Sequence, residues 1–250
     1  MDESVFTADL LERLIHAQRV VVLTGAGISA ESGVPTFRSA DGIWSRFKPE
    51  ELASMDAFMR NPDRVWEWYD YRRRLIREVQ PNPGHATLAK MEAYYPHFSL
   101  FTQNVDGLHS KAGSRVIHEL HGNIMRNRCT QCNAVSYDFS DHPATSLPTC
   151  ECGGRLRPDV VWFGESLPEE VLQSAWDEAT RAEVYFSIGT SAVVYPAAHL
   201  PVLAAESGAF VIEINPERTP ISHLISLSLQ GRSGEVLPSL WQKMQQSGNF

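Results

Sequence analysis

Four cysteines stand in two close pairs, Cys129-Thr-Gln-Cys132 and Cys150-Glu-Cys152, separated by a loop of ribbon-like length. Each pair can present two thiolates to one ion. Four thiolates close a tetrahedral zinc site with no open position for water, so zinc held there, one ion per chain, is structural. Two disulfides or unpaired core cysteines are the alternatives; the tight spacing and the use of every cysteine favour metal. Upstream, Thr24-Gly25-Ala26-Gly27-Ile28-Ser29-Ala30 follows an apolar run with GxGxxA spacing. Glycines there permit a tight turn and let backbone N–H groups approach a pyrophosphate at a helix start. A glycine-rich structural turn is the alternative. An ordinary dehydrogenase also needs a second strand ending in Asp or Glu about 20 residues further on. The chain instead runs Glu31-Ser-Gly33-Val-Pro35-Thr-Phe37-Arg38, which disfavours hydride transfer but not a dinucleotide ligand.

Two further groups draw notice. In Trp66-Glu-Trp-Tyr69-Asp-Tyr-Arg72, on a helix begun by the Asn61-Pro62 cap, Tyr69 and Arg72 are three apart and share a face. A phenol and a guanidinium can grip a carboxylate. Because Arg72, Arg73 and Arg74 are consecutive, a solvated basic face is the other reading. Among nine histidines, His121 sits in Leu120-His-Gly122, between a short strand and the first cysteine pair.

The elements that must position these residues follow from the apolar pattern. Thr7 caps a helix to about Gln18, with Leu10, Leu11, Leu14 and Ile15 on one face. Short runs, apolar on both faces, occur at 20–23, 98–101, 184–188, 210–214 and 224–229, with a weaker one at 116–118. Helical stretches at 83–95, 168–181, 196–207 and from about Gly234 lie between or after them. Strands alternating with helices predict an α/β fold, a Rossmann-like doubly wound parallel sheet. Two segments break the alternation: 37–81, helical and aromatic, and 123–157, with all the cysteines. The expected organisation is a discontinuous sheet domain of 1–36, 82–122 and 158–250. The helical module and the zinc module then form a smaller inserted domain, with a ligand cleft between the two.

Composition narrows the classes. Of 250 residues, 43% are hydrophobic and 21% charged, which excludes wholesale disorder. A net charge of −8 makes a poor stand-alone nucleic-acid binder, and Asp138, Asp141 and Glu151 offset the arginines around the cysteines. No apolar stretch reaches the ~20 residues of a membrane helix, and the acidic start, Met1-Asp2-Glu3-Ser4, is unlike a signal peptide. A cytoplasmic location without membrane partners is expected. The oligomeric state is open, and a monomer suffices.

The glycine segment with Gly33-Val-Pro-Thr-Phe-Arg38, Thr102-Gln-Asn-Val-Asp106, His121-Gly122, the cysteine pairs, Gly189-Thr-Ser191 and Asn215-Pro-Glu217 together resembles the sirtuin family, in order and over essentially the whole chain. That resemblance implies an NAD-dependent protein lysine deacylase acting on acyl-lysine proteins or peptides, with NAD as co-substrate. By position it implies that Gly25, Ala26, Gly27, Ile28, Ser29 and Arg38 hold the diphosphate and that Phe37 covers the nicotinamide end. Gln103 and Asn104 meet the nicotinamide ribose, and Asp106 with Ile28 orients the carboxamide. Trp44, Val105, Gly189, Thr190, Ser191, Asn215, Pro216, Glu217 and Ser233 complete the NAD contacts. His121 is the implied general base, with Asn104 beside it, acting on the ribose hydroxyls after the acyl oxygen has displaced nicotinamide; the products are nicotinamide, 2′-O-acyl-ADP-ribose and free lysine.

The Tyr69-x-x-Arg72 pattern further resembles the class III sirtuins, which remove succinyl, malonyl and related acidic groups, and Ala53 matches the small residue that makes room for the longer acyl chain. Val161 and Phe163, in Val160-Val-Trp-Phe-Gly-Glu165, match the segment that pairs with substrate backbone as an added strand. ADP-ribosyl transfer to protein is the second enzymatic reading, and an NAD or ADP-ribose sensor the non-enzymatic one; sensing alone needs no base.

Overall fold

Strands that are apolar on both faces need cover on both faces, and the computed structural model supplies it. The structure describes residues 5–36, 48–137 and 147–248. In chain order these form α1 (Ala8–His16), β1 (Arg19–Thr24), α2 (Ala26–Ala30), α3 (Pro49–Leu52), α4 (Met55–Arg60), α5 (Pro62–Glu78), α6 (Pro83–Tyr94), β2 (His97–Thr102), α7 (Leu108–Lys111) and β3 (Ile117–Glu119). There follow β4 (Gly122–Cys129), β5 (Val135–Ser136), β6 (Leu156–Val160), α8 (Glu169–Arg181), β7 (Val184–Ile188), a 3₁₀ turn (Ala197–His199), α9 (Leu200–Glu206), β8 (Phe210–Asn215), β9 (Leu227–Gln230) and α10 (Ser233–Gly248).

Six strands form one sheet in the order β3-β2-β1-β7-β8-β9, every pairing parallel. Counted along the chain this is three-two-one-four-five-six, the doubly wound order, which reverses between β1 and β7. Side chains of β1 alternate: Val20 and Val22 pack with Leu14, Leu88, Met91 and Leu240 of α1, α6 and α10, while Val21 and Leu23 pack with Ala175, Ala179, Leu200 and Ala204 of α8 and α9. A second sheet, β5-β4-β6, is antiparallel. Its Ile124 and Leu156, together with Trp162, share a third core with Phe58, Trp66 and Tyr69 of α4 and α5. Arg73 ties α5 to that sheet: its guanidinium donates to the carbonyls of Ile124 and Arg126 and to Asn127 Oδ1.

Two predicted elements begin late. The run 224–229 yields a strand only from Leu227, because Thr219 to Leu224 turns so that the Thr219 and Ser222 hydroxyls, with that of Ser228, donate to the buried Glu213 carboxylate. The stretch 196–207 divides at Leu200, because Pro201 has no N–H for a continuous helix; a 3₁₀ turn precedes α9. Among the described residues no helix is long and apolar enough to cross a membrane.

Candidate functional site

The reversal between β1 and β7 brings Gly25 and Gly27 against Gly189. Their backbones interlock: Gly25 N–H donates to Ile188 O at 2.9 Å and Gly27 N–H to Gly189 O at 2.8 Å. A Cβ on Gly27 would lie 2.6 Å from Gly189 Cα, and one on Gly189, at φ +60°, 2.4 Å from Ile28 N. The glycines therefore serve to seat the turn on the end of β7. Ala26 and Gly27 are half-buried there, and Ile28 and Ser29 are fully buried in α2.

Below the turn lies a continuous polar network. Asn104 Nδ2 donates to Gly25 O and to Ser29 Oγ, both at 3.1 Å. Ser29 Oγ donates to Asp106 Oδ2 at 2.7 Å, and Leu108 N–H to Asp106 Oδ1 at 2.9 Å. Burial raises the pKa of Asp106; these donors and the Arg72 charge oppose the rise. Gln103 Nε2 reaches Thr190 Oγ1 at 3.1 Å, linking β2 to β7 across β1. Val105 packs into the third core. The sequence reading missed several members of this network. His85 Nε2 lies 3.4 Å from Ser29 Oγ, Asn82 Nδ2 donates to Ile28 O at 2.6 Å, and Thr24 Oγ1 bridges Thr102 Oγ1 and His109 Nε2. Asn82-Pro83 does read as a helix cap, but nothing local joins it to residue 28.

His121 occupies the bend between β3 and β4, half-buried, with Nδ1 2.9 Å from Gln103 O. A carbonyl only accepts, so Nδ1 carries the proton and Nε2 presents its lone pair. Burial lowers the imidazole pKa below its usual 6.5, against a smaller opposing effect of Gln103 O, so the ring is neutral at pH 7. His121 O accepts from Val161 N–H, and Gly122 at φ +77° turns the chain into β4. A Cβ at Gly122 would stand 2.2 Å from Asp159 O. His118 instead stacks on Phe101 at 4.6 Å, a structural role.

Tyr69 and Arg72 meet on α5, with the Arg72 guanidinium 5.9 Å from the Tyr69 ring centroid and 4.9 Å from that of Trp68. Both are buried, so the solvated-face reading fails for Arg72; of the three arginines only Arg74 is exposed. Burial lowers the pKa of Arg72, and Tyr69 and Asp106 act the other way. Ala53 is buried in the same core, and its carbonyl accepts from Phe163 N–H at 2.9 Å. In 161–165 the amides of Val161, Trp162, Phe163 and Glu165 are all committed within the protein, so an added peptide strand cannot use them. Phe163 is exposed and Val161 half-buried.

The four sulfurs lie within 4.8 Å of one another. Cys129 and Cys152 are 3.5 Å apart, and Cys132 and Cys150 3.7 Å. A disulfide of about 2.05 Å is excluded, whereas a tetrahedron of ~2.3 Å zinc–sulfur bonds has edges of about 3.8 Å. Gly154 permits the approach, since a Cβ there would meet Cys129 Sγ at 2.6 Å. The cluster is consistent with structural zinc.

At the remaining strand ends Thr190 is buried and Ser191 exposed, Asn215 Nδ2 donates to Glu217 O, and Pro216 and Glu217 are exposed. Ser233, at the start of α10, donates to Glu31, as does Gly234 N–H. Phe37, Arg38 and Trp44 lie outside the described residues.

A doubly wound sheet with a glycine turn at its switch point and a cluster of four cysteine sulfurs on a smaller sheet fits the class of dinucleotide-binding proteins that carry a metal module. Residues 25–196 match the family model described as the Sir2 family. The chain is 53% identical over 228 residues to the NAD-dependent protein deacylase of Aquifex aeolicus (strain VF5), covering 91% of this chain and 95% of the relative. Among solved structures, a Sir2 homologue variant complexed with ADP-ribose is 44% identical with TM-score 0.93, covering 98% of each chain. A Sir2 homologue variant complexed with 2′-O-acetyl ADP-ribose is 45% identical with TM-score 0.91, again covering 98% of each chain. The chain belongs to the Sir2, or sirtuin, family.

Proposed function

We propose that this protein is an NAD-dependent protein lysine deacylase that removes succinyl and malonyl as well as acetyl groups, yielding nicotinamide, 2′-O-acyl-ADP-ribose and free lysine. The observation that carries the reading is His121, held by Gln103 O with Nε2 as the basic atom, on the chain segment that borders the β1–β7 crevice. NAD, when bound, supplies a ribose carbon with nicotinamide as leaving group. The switch point suits such a ligand: Gly25 and Gly27 seat the turn tightly on Gly189, at the start of α2 and beside the amides of Gln103 and Asn104. Asn104 Nδ2 is spent inside the protein, which leaves its Oδ1 to accept from a ribose hydroxyl. Asp106 accepts a carboxamide N–H, and His121 Nε2 takes the proton of a ribose hydroxyl. The nucleotide domain takes in the main sheet with its helices, and the expected boundary at 158 shifts: Pro158–Val160 of β6 pair with β4 and Trp162 packs with α5, so these residues go with the smaller unit.

Acidic acyl preference rests on Tyr69 and Arg72, buried side by side near Ala53. The test compares acetyl-, malonyl- and succinyl-lysine peptides with wild type, His121→Tyr and Arg72→Met. His121→Tyr should lower turnover of every peptide by about 10²–10⁴, with 2′-O-acyl-ADP-ribose vanishing from the mass spectrum. Arg72→Met should cost roughly 2–4 kcal/mol in kcat/KM on succinyl peptide only. Equal losses on acetyl and succinyl peptides would end the acidic-acyl reading, and a labelled acceptor protein in place of the ester would favour ADP-ribosyl transfer.

A further inference from the structure

The indole Nε1 of Trp162 donates to the phenol oxygen of Tyr69 at 2.8 Å, with both side chains buried. An indole N–H can only donate, so the Tyr69 oxygen is the acceptor in this bond. The phenol then keeps its own hydrogen for a second partner. Arg72 beside it has no lone pair to receive that hydrogen. A carboxylate between the two could; the methyl of an acetyl group could not.

The indole has no latitude to do otherwise. The Arg157 guanidinium lies over its ring at 3.4 Å, the Phe58 ring packs at 5.4 Å and the Tyr69 ring at 6.3 Å. Arg157 is itself paired with Glu165 through both terminal guanidinium nitrogens, and Glu165 Oε2 also accepts from Trp162 N–H at 2.8 Å. Flanking Trp162, the amides of Val161 and Phe163 are fixed to His121 O and Ala53 O. The segment 161–163 is thus joined by its flanking amides to the bend bearing the imidazole and to Ala53, and by the Trp162 side chain to the phenol.

We infer that Trp162 is a specificity-determining positioning residue: by occupying the acceptor side of Tyr69 Oη, it commits the phenol to donate toward an acidic acyl group. This inference rests on the acidic-acyl reading above. Trp162→Phe retains a ring for Arg157 and Phe58 while deleting Nε1. Loss of one buried hydrogen bond should lower the succinyl-to-acetyl ratio of kcat/KM about tenfold. In a Tyr69→Phe background, where no hydroxyl remains to orient, the same substitution should leave that ratio unchanged.

A ratio that survives Trp162→Phe, equal losses on both peptides, or a further fall in the Tyr69→Phe background would each overturn the inference while a wild-type preference for succinyl left the underlying reading intact. A wild type without that preference overturns both. Should Trp162→Phe fold poorly, the wild-type indole N–H proton resonance decides. It should move on adding succinyl-lysine peptide with NAD and stay in place with acetyl-lysine peptide; equal movement with both peptides counts against the idea.

Discussion

At the scale of single residues, protonation state governs what the crevice can do. His121 is competent as a base only when neutral, and burial holds its pKa below 6.5. The kcat/KM profile for acyl peptide should therefore be flat through neutrality and fall only below about pH 6.5, where the ring becomes cationic. An acid limb centred above pH 7 would show that another group controls the rate. His121, the glycines and the cysteines could be singled out as candidates from the sequence because each motif is short and local. Arg157 and Glu165, eight apart around Trp162, were not: their pairing depends on a turn at Gly164 that no spacing rule announces. The same holds for His85 and His109, whose partners Ser29 and Thr24 are more than fifty positions away.

At the scale of elements, the cysteine turns anchor the far end of the β4–β6 ladder, which runs from the pair Gly122 and Val160 to the pair Cys129 and Leu156. Its near end abuts His121 and Val161. Loss of metal should loosen the ladder from the cysteine end. Cys132→Ser, at an exposed ligand, should take zinc content from one ion per chain to near none and lower the thermal midpoint by roughly 10 °C. Metal analysis with calorimetry checks this, and a variant that loses zinc at unchanged midpoint would show that the ion is dispensable. Strand positions in the main sheet were readable because runs apolar on both faces have few other places to go. The late start of β9 was not, since it answers to Glu213, a buried carboxylate whose three hydroxyl donors come from the following turn and strand.

For the whole molecule, two neutral histidines lie in the core between the sheet and its helices. Burial lowers His85 to about 4 and His109 to about 3, with the pair also repelling each other's charge at His109. Unfolding restores values near 6.5, so the unfolded chain binds more protons below that pH. Their contribution is complete above pH 6.5 and is lost as pH falls toward 4 and below. Thermal midpoints should therefore drop between pH 7 and pH 4.5, and His109→Gln should flatten that dependence; an unchanged slope would place the acid sensitivity elsewhere. The doubly wound class followed from the alternation of strands and helices. The core that α5 and β4 share did not, because it gathers Trp66 and Tyr69 with Ile124 from more than fifty positions away, and Arg73 bonds the carbonyls of Ile124 and Arg126 beside it.

Gly122 has a consequence for how the chain can vary. It has positive φ, and its Cα faces the Asp159 carbonyl with no room for a methyl group. In a saturation library, position 122 should empty as completely as position 121 beside it. Gly164 also has positive φ but faces open space, so it should admit asparagine. Intolerance at 122 thus reflects the hinge that carries the imidazole, and a functional map drawn from depletion alone would mistake that hinge for a ligand contact.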